Sequence, residues 1–268
     1  MARAIAGGLV RSGFGAENIL MSTPRAEQRA LLQREFPGAV ITGDNCAVAS
    51  GSGNLLLAVK PQILRSVCSE LKAAVQKQKP LVISIAAGPT VTDIDDWLGG
   101  NLEIVRVMPN QPALVDQGIS ALYANDRTDD FGRILAEKVM SAVGKVVWVD
   151  DESLMDTVTA VSGTGPAYVY LLIDMMIDSA VSLGIAPDVA RSLVLETARG
   201  AATLAMAEKE SMTVLIERVR SPGGTTTAAF ERLEGANVRA IFASAIRAAR
   251  DRAQALAEEA RSPRDGSA

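Results

Sequence analysis

The chain reads as an α/β half followed by an all-helical half, on three observations. From residue 1 to about 150, short β-branched or apolar runs alternate with helical stretches, the pattern that produces a mostly parallel sheet covered by helices. Most of those runs are continuously apolar, as expected of strands buried on both faces. Beyond about residue 150 the strand signals stop and long helical stretches follow. The reading divides the chain into an α/β domain over 1–150, a helical domain over 151–260 and a polar tail over 261–268.

Taken in order, ARAIAGGLVRSG opens the chain as a helix whose small residues Ala6, Gly7 and Gly8 permit close packing on a sheet. Gly13-Phe14-Gly15 follows a helix and precedes a strand, so it reads as a helix C-cap and turn rather than a phosphate loop. Strands are expected at NILMS (18–22), AVIT (39–42), NLLLAV (54–59), PLVISI (80–85), LEIVRVM (102–108), ISALYA (119–124) and KVVWV (145–149). Helices are expected at 151–160, 166–184, 187–207, 211–219 and 225–258, the last broken at Gly235. Pro187 suits the first turn of its helix. The helix over 166–184 is apolar on nearly every side, which suggests burial against a partner subunit, most simply in a homodimer. The tail RSPRDGSA is rich in Pro, Gly and Ser and reads as disordered.

Composition narrows the function. At 268 residues and 48% hydrophobic content the chain can bury a sizeable core. A net charge of −4, with no Lys/Arg block, speaks against nucleic-acid binding. No run approaches the roughly 20 apolar residues of a membrane span, and the most apolar stretch, at 167–177, is interrupted by Asp174. The start has too short an apolar stretch for a secretory signal, so a cytoplasmic location is expected. Cys46 and Cys68 match no metal knuckle or redox pair and read as small apolar residues. Asp174 and Asp178 share a helix face, but no further ligands converge, so no metal site is expected. The chain has no histidine, which removes His triads, His general acids and nearly all His-containing metal sites.

The candidate chemistry lies at strand ends and in one loop. In open α/β sheets, ligands lie at the carboxyl ends of strands. Ser22, Thr23 and Arg25 offer hydroxyls and a guanidinium where an acidic residue would bind a ribose 2′-hydroxyl. They suit a 2′-phosphate, hence NADPH, or else form a helix N-cap with a solvated arginine. Asn45 reads as a ligand contact or a helix cap, and Lys60 as a cofactor contact or a solvated helix start. Ala58-Val59-Lys60-Pro61 and Ala86-Ala87-Gly88 are strand ends where small residues let a dinucleotide approach, or ordinary turns. Met108-Pro109-Asn110-Gln111-Pro112 fixes an amide between prolines, suited to facing a ring, or is only a turn. Ser162-Gly163-Thr164-Gly165-Pro166 permits close ligand approach, or merely connects two helices. The strongest local signal is RVRSPGGTTTAAFERLE (218–234): a Pro-Gly-Gly turn delivers hydroxyls and free N–H groups to a helix N-terminus, where carboxylates bind well.

AVKP, SIAAG, VMPNQP, AVSGTGPAY and VRSPGGTTTAAFERLE occur in the order and context of the pyrroline-5-carboxylate reductases, which the chain resembles over its whole length. The resemblance implies a Rossmann-type N-terminal domain, an all-helical C-terminal dimerisation domain, and reduction of 1-pyrroline-5-carboxylate to L-proline with NADPH or NADH. It places the cofactor near Ser22, Thr23, Arg25, Asn45, Ala58, Val59, Lys60, Pro61, Ile85, Ala86 and Ala87, with the nicotinamide near Asn110 and Ser162. The substrate falls near Ser221, Gly224, Thr225 and Thr226, with Ser221 and Thr226 in the catalytic roles. It also implies homodimers, assembled in the family into rings such as decamers. The family's chain begins with a strand and a glycine-rich loop ending in Gly-Asn-Met, and Met1 stands where that Met would be. The chain therefore reads as N-terminally shortened, with its first strand missing from the middle of the sheet, neighbouring strand edges open and weak NADPH binding expected.

Overall fold

The structure, a computed structural model, describes residues 1–261. Two compact units emerge among the described residues: one comprises Met1–Thr164 together with 249–261, the other Gly165–Ala248.

The first unit is α/β, with all the expected strands present: β1 Leu20–Ser22, β2 Val40–Thr42, β3 Asn54–Leu57, β4 Leu81–Ser84, β5 Ile104–Met108, β6 Gly118–Ala124 and β7 Gly144–Trp148. They form two sheets, β1-β2 and β3-β4-β5-β6-β7. Among the described residues β1 pairs only with β2, and β3 only with β4, so each presents one open edge. Pairing is parallel except between β5 and β6. The exception follows from the connection: only a 3-10 turn, Gln111–Val115, lies between β5 and β6, and a parallel crossover needs about a dozen residues or more, usually with a helix.

Around the sheet run α1 Ala2–Arg11, α2 Ala26–Glu35, α3 Asn45–Gly51, α4 Pro61–Gln78, α5 Val91–Leu98 and α6 Asp130–Ser141. Successive strand residues point to opposite faces, and both faces are covered. Val82 and Ile104 join Leu64, Leu71 and Ile94 in one cluster, while Ile83 and Val105 join Ile5, Leu122 and Met140 in the other. The small residues of α1 serve as expected: a Cβ on Gly8 would overlap the carbonyl oxygen of Ala142 and lie 2.6 Å from Val143 Cγ1. Gly13 sits at φ +92° in the turn that ends α1, a left-handed conformation glycine adopts without strain.

The compact units divide at 164/165, past the expected domain boundary at 150/151. After β7 come α7 Leu154–Val158 and a π turn, Thr159–Gly163. Met155 and Ala160 there are fully buried, and this segment belongs with the first unit because a buried ion pair and a side-chain contact, described below, fasten it to β5. The chain also returns: Ala253 and Ala257 of α12, Val238–Arg261, are buried, and a Cβ on Gly88 would come within 3.3 Å of Ala257. The helical unit is therefore Gly165–Ala248. The tail expected at 261–268 is helical at Arg261, where α12 ends, and residues 262–268 lie outside the described residues.

The second unit contains α8 Gly165–Ser182, α9 Pro187–Ala207, α10 Met212–Val219 and α11 Thr225–Gly235. The break expected at Gly235 falls at Asn237, which takes φ +57° between α11 and α12. No residue of α8 is buried; Val169, Leu171, Leu172, Met175 and Met176 are exposed. α7, the π turn and α8 run on as one stretch, Leu154–Ser182, long and apolar enough by length and composition alone to cross a membrane. This corrects the expectation that no stretch of the chain qualifies. The sequence reading stopped at Asp174, but a few scattered acidic residues do not lower the average of so apolar a run.

Candidate functional site

In the first unit the strand ends carry the dinucleotide candidates. At the end of β1, Ser22 Oγ donates to Asn45 Oδ1 at 2.6 Å. Asn45 is the first residue of α3, whose cap is Asp44, accepting from the Ala47 N–H at 3.0 Å. The cap alternative for Asn45 is thereby removed, and its Nδ2 reaches Glu70 at 3.5 Å. The Thr23 N–H donates to the Thr42 carbonyl at 3.1 Å. Arg25 precedes α2 and makes no side-chain cap bond. Four residues on, Arg29 donates to the carbonyls of Thr23 and Pro24 at 2.9 and 2.8 Å, fixing this loop. Sequence reasoning passed over Arg29, although its i+4 spacing from Arg25 marks it as a neighbour on the same helix face.

Following β3, Ala58 and Val59 are half-buried, Lys60 occupies the N-cap position of α4 and Pro61 its first turn. Lys60 and Arg25 are exposed, and neither side chain has an anionic partner among the described residues. After β4, the Ile85 N–H donates to the Leu57 carbonyl at 3.1 Å, Ala86 is buried and Ala87 half-buried. Gly88, taken with them as a place where a dinucleotide nears the backbone, lies close to the later chain: a Cβ on it would stand 3.3 Å from the Ala257 backbone.

At the end of β5, Asn110 Oδ1 accepts from the Ile119 N–H at 3.0 Å, which orients the amide and leaves Nδ2 as donor. In the π turn, Ser162 Oγ donates to the Val158 carbonyl at 3.0 Å, and the Thr164 N–H closes an i+5 bond on the Thr159 carbonyl at 2.8 Å. π turns inside helices gather at functional sites. A Cβ on Gly163 would overlap Met108 Cε, so the absent side chain is what brings the Met108–Asn110 and Ser162–Thr164 segments together.

Behind these segments lies a charge that sequence reasoning missed, although an arginine inside the apolar run LEIVRVM is a visible anomaly. Arg106 is only 3% exposed. It donates to Glu152 Oε1 at 3.1 Å and Asp156 Oδ1 at 3.5 Å, and Glu152 Oε1 also accepts from the Val91 N–H at 2.8 Å. These groups line a cleft of about 490 Å³ with Gly88, Ala257 and Arg261. Arg261 donates to both oxygens of Asp93 at 3.0 Å. Burial would raise the Asp93 carboxyl, but hydrogen bonds from the Thr90 N–H and hydroxyl and from Arg261 outweigh it and hold Asp93 below the usual carboxylate value.

The second unit carries the loop at 221–226. Gly223 takes φ +68°, and Gly224 is the N-cap of α11. The Gly224 N–H and the Thr227 hydroxyl both donate to the Ser221 carbonyl, at 2.9 and 2.7 Å. Gly224 brings no side-chain cap, and the first turn holds no acidic residue, so the N–H groups of Thr225 and Thr226 and the positive end of the helix dipole are left for an outside anion. The Thr226 and Thr225 hydroxyls have no partner among the described residues. A Cβ on Gly224 would overlap Ser221 Oγ, so that hydroxyl lies over the helix start. Just before the loop, Arg220 stacks 5.1 Å from the Phe230 ring centroid and pairs with Glu217 and Glu234 at 3.1 and 3.3 Å. Neither Thr227 nor Arg220 was singled out from sequence.

Comparison with known proteins adds the following. A family model for pyrroline-5-carboxylate reductase dimerisation matches residues 152–256, and one for NADP oxidoreductase, coenzyme F420-dependent, matches residues 1–88. The pyrroline-5-carboxylate reductase of Pseudomonas aeruginosa is 42% identical over 259 residues, 97% of this chain and 94% of the relative. That of Synechocystis is 39% identical over 260 residues, 97% of this chain and 96% of the relative. Among solved structures, the pyrroline-5-carboxylate reductase of Coxiella burnetii has a TM-score of 0.88 at 38% identity, covering 95% of this chain and 94% of its own. The Plasmodium falciparum pyrroline carboxylate reductase, solved with NADP bound, has a TM-score of 0.86 at 27% identity, covering 95% of this chain and 94% of its own.

Proposed function

The chain belongs to the pyrroline-5-carboxylate reductase family, and from that premise we propose which of its residues carry the reaction. It is an oxidoreductase that reduces 1-pyrroline-5-carboxylate to L-proline by hydride transfer from NAD(P)H. The observation that carries the residue assignment is the acid-free, uncapped start of α11, with Ser221 Oγ lying over it.

The N–H groups of Thr225 and Thr226 and the Ser221 hydroxyl hold the substrate carboxylate, with Gly224 keeping the approach open. The Thr226 hydroxyl hydrogen-bonds the ring nitrogen and fixes which ring face is presented. A protonated cyclic imine is already electrophilic at carbon. When hydride arrives there, the C=N π pair moves onto nitrogen, which keeps its proton and becomes the amine. No strong side-chain acid is needed, consistent with a chain that has no histidine, and positioning supplies most of the rate.

The strand-end donors fit a reduced nicotinamide dinucleotide, which supplies the hydride when bound. The unpaired cations Arg25 and Lys60, with the Ser22 and Thr23 hydroxyls and Asn45, would hold its phosphates and adenosine ribose. Ala58, Val59, Pro61, Ile85, Ala86 and Ala87 would line its backbone approach, and Asn110 Nδ2 and Ser162 would face the nicotinamide. The cofactor set lies in the first unit and the anion loop in the second, so each unit holds one reactant.

The chain forms a homo-oligomer through the region of its dimerisation match. Our assignment gives the apolar side chains of α8 to the dimer contact, which would cover the stretch long enough to cross a membrane. Larger rings such as decamers, a cytoplasmic location and no membrane insertion belong to the same proposal, checked by sedimentation in detergent-free buffer. The test of function is oxidation of NADPH on addition of 1-pyrroline-5-carboxylate, with stoichiometric proline. Absence of both, with folding intact, would sink the assignment.

A further inference from the structure

We propose that Arg106 is a positioning residue for hydride transfer, acting through a buried two-point clamp that seats the π turn against the end of β5. The proposal rests on the reading above that Asn110 and Ser162 face the nicotinamide.

Side chains alternate along a strand, so Arg106 and Met108 project from the same face of β5. Arg106 binds Glu152 and Asp156 at the start of α7; two residues on, Met108 receives the bare Cα of Gly163 at the far end of the π turn. The two contacts bracket the segment that carries Ser162. Beyond Met108 the strand runs straight into Asn110, itself locked by the Ile119 N–H at 3.0 Å. The clamp thus sets where Ser162 lies relative to Asn110. Through Glu152 Oε1 it also reaches the Val91 N–H at 2.8 Å, tying in the start of α5.

Stability alone gives a weak reason for this arrangement. Burying a guanidinium against two half-buried carboxylates costs desolvation that their attraction barely returns, and well-packed apolar replacements are often as stable or more so. Ile104, two residues before it and on the same face, is fully buried, so this face of the strand takes an apolar residue readily. An ion pair does what apolar packing does not: its directional hydrogen bonds admit one register of α7 on β5. Neither Arg106 nor its partners touch a reactant in this reading. Their effect passes through Ser162 and Asn110, where a displacement of about 1 Å can cost 100-fold in rate.

The test compares Arg106→Met, Arg106→Lys and the charge-free triple variant Arg106→Met/Glu152→Gln/Asp156→Asn. For each, thermal midpoint, kcat and the KM values for NADPH and 1-pyrroline-5-carboxylate are measured on the full chain. Arg106→Met, with two carboxylates left unpaired, should lose stability and at least about tenfold in kcat, with KM for NADPH within about twofold because the phosphate-holding residues sit at other strand ends. Arg106→Lys should recover part of kcat. The triple should regain thermal stability while kcat stays low, and it carries the test if Arg106→Met does not fold. Recovery of kcat in step with stability in the triple, or an unchanged kcat in Arg106→Met, overturns the proposal. A wild-type chain that fails to oxidise NADPH with this substrate overturns the functional reading first, and this inference with it.

Discussion

Gly224→Ala places one methyl group in the anion loop. Gly224 sits at φ −81° and ψ 169°, a backbone alanine adopts without strain, so the perturbation is spatial. The new Cβ would overlap Ser221 Oγ and stand 3.1 Å from the Ser221 carbonyl oxygen. The serine hydroxyl must rotate away, while the carbonyl, held by the Thr227 hydroxyl at 2.7 Å, stays. Glycine is itself a better N-cap than alanine, at a cost of several tenths of a kcal/mol, so folding should be nearly unaffected. What is lost is one hydrogen bond to a charged carboxylate, about 1.5–3 kcal/mol. At about 1.4 kcal/mol per tenfold, kcat/KM for 1-pyrroline-5-carboxylate should fall about 10- to 150-fold. The assay is steady-state loss of reduced-nicotinamide absorbance, with direct titration of NADPH as control. Ser221→Ala should cause a similar fall, and the double variant much less than the product of the two, because both remove the same contact. An unchanged kcat/KM in Gly224→Ala, or full multiplicativity in the double variant, would refute the placing of Ser221 on the carboxylate.

Three further outcomes follow from other parts of the molecule. Thr226→Ala should lower kcat/KM about 10- to 100-fold while leaving NADPH affinity within about twofold, and equal loss of both would mean that Thr226 is misplaced. Burial pushes the Cys68 thiol up to about 12; at pH 8 only about one molecule in ten thousand carries the thiolate, so a thiol reagent should modify half-buried Cys46 alone in the native protein and both cysteines after unfolding. Asp93 is held below the usual carboxylate value of 3.8, so the stability it contributes is present above that value and lost only as the pH falls through its lowered folded value. The protection of the α12 amides near Arg261, followed by hydrogen exchange, should therefore persist through pH 5, and release of this end at that pH would contradict the pairing.

The central strands of the first unit were legible because both of their faces are covered, which demands mainly apolar runs such as LVI of β4 and, Arg106 apart, IVRVM of β5. The loop at 221–226 was legible for a local reason as well: the turn residues, the uncapped helix start and the missing acids are all contiguous in the chain. Less visible were interactions between residues far apart in sequence. Arg106 stood out as a charge in an apolar strand, but its partners lie 46 and 50 residues on. The closeness of Ala257 to Gly88 was equally hidden, since the two lie far apart in sequence.

What the sequence determined by itself was the order of elements, the exclusion of imidazole chemistry and the composition of each short motif, all set by local periodicity and residue type. Tertiary structure decided the rest. It divided the compact units at 164/165, split the strands into two sheets, returned α12 to the first unit and seated the π turn on β5. Each depends on which surfaces meet, and a buried charge or a bare Cα has meaning only once the chain has brought its partner alongside.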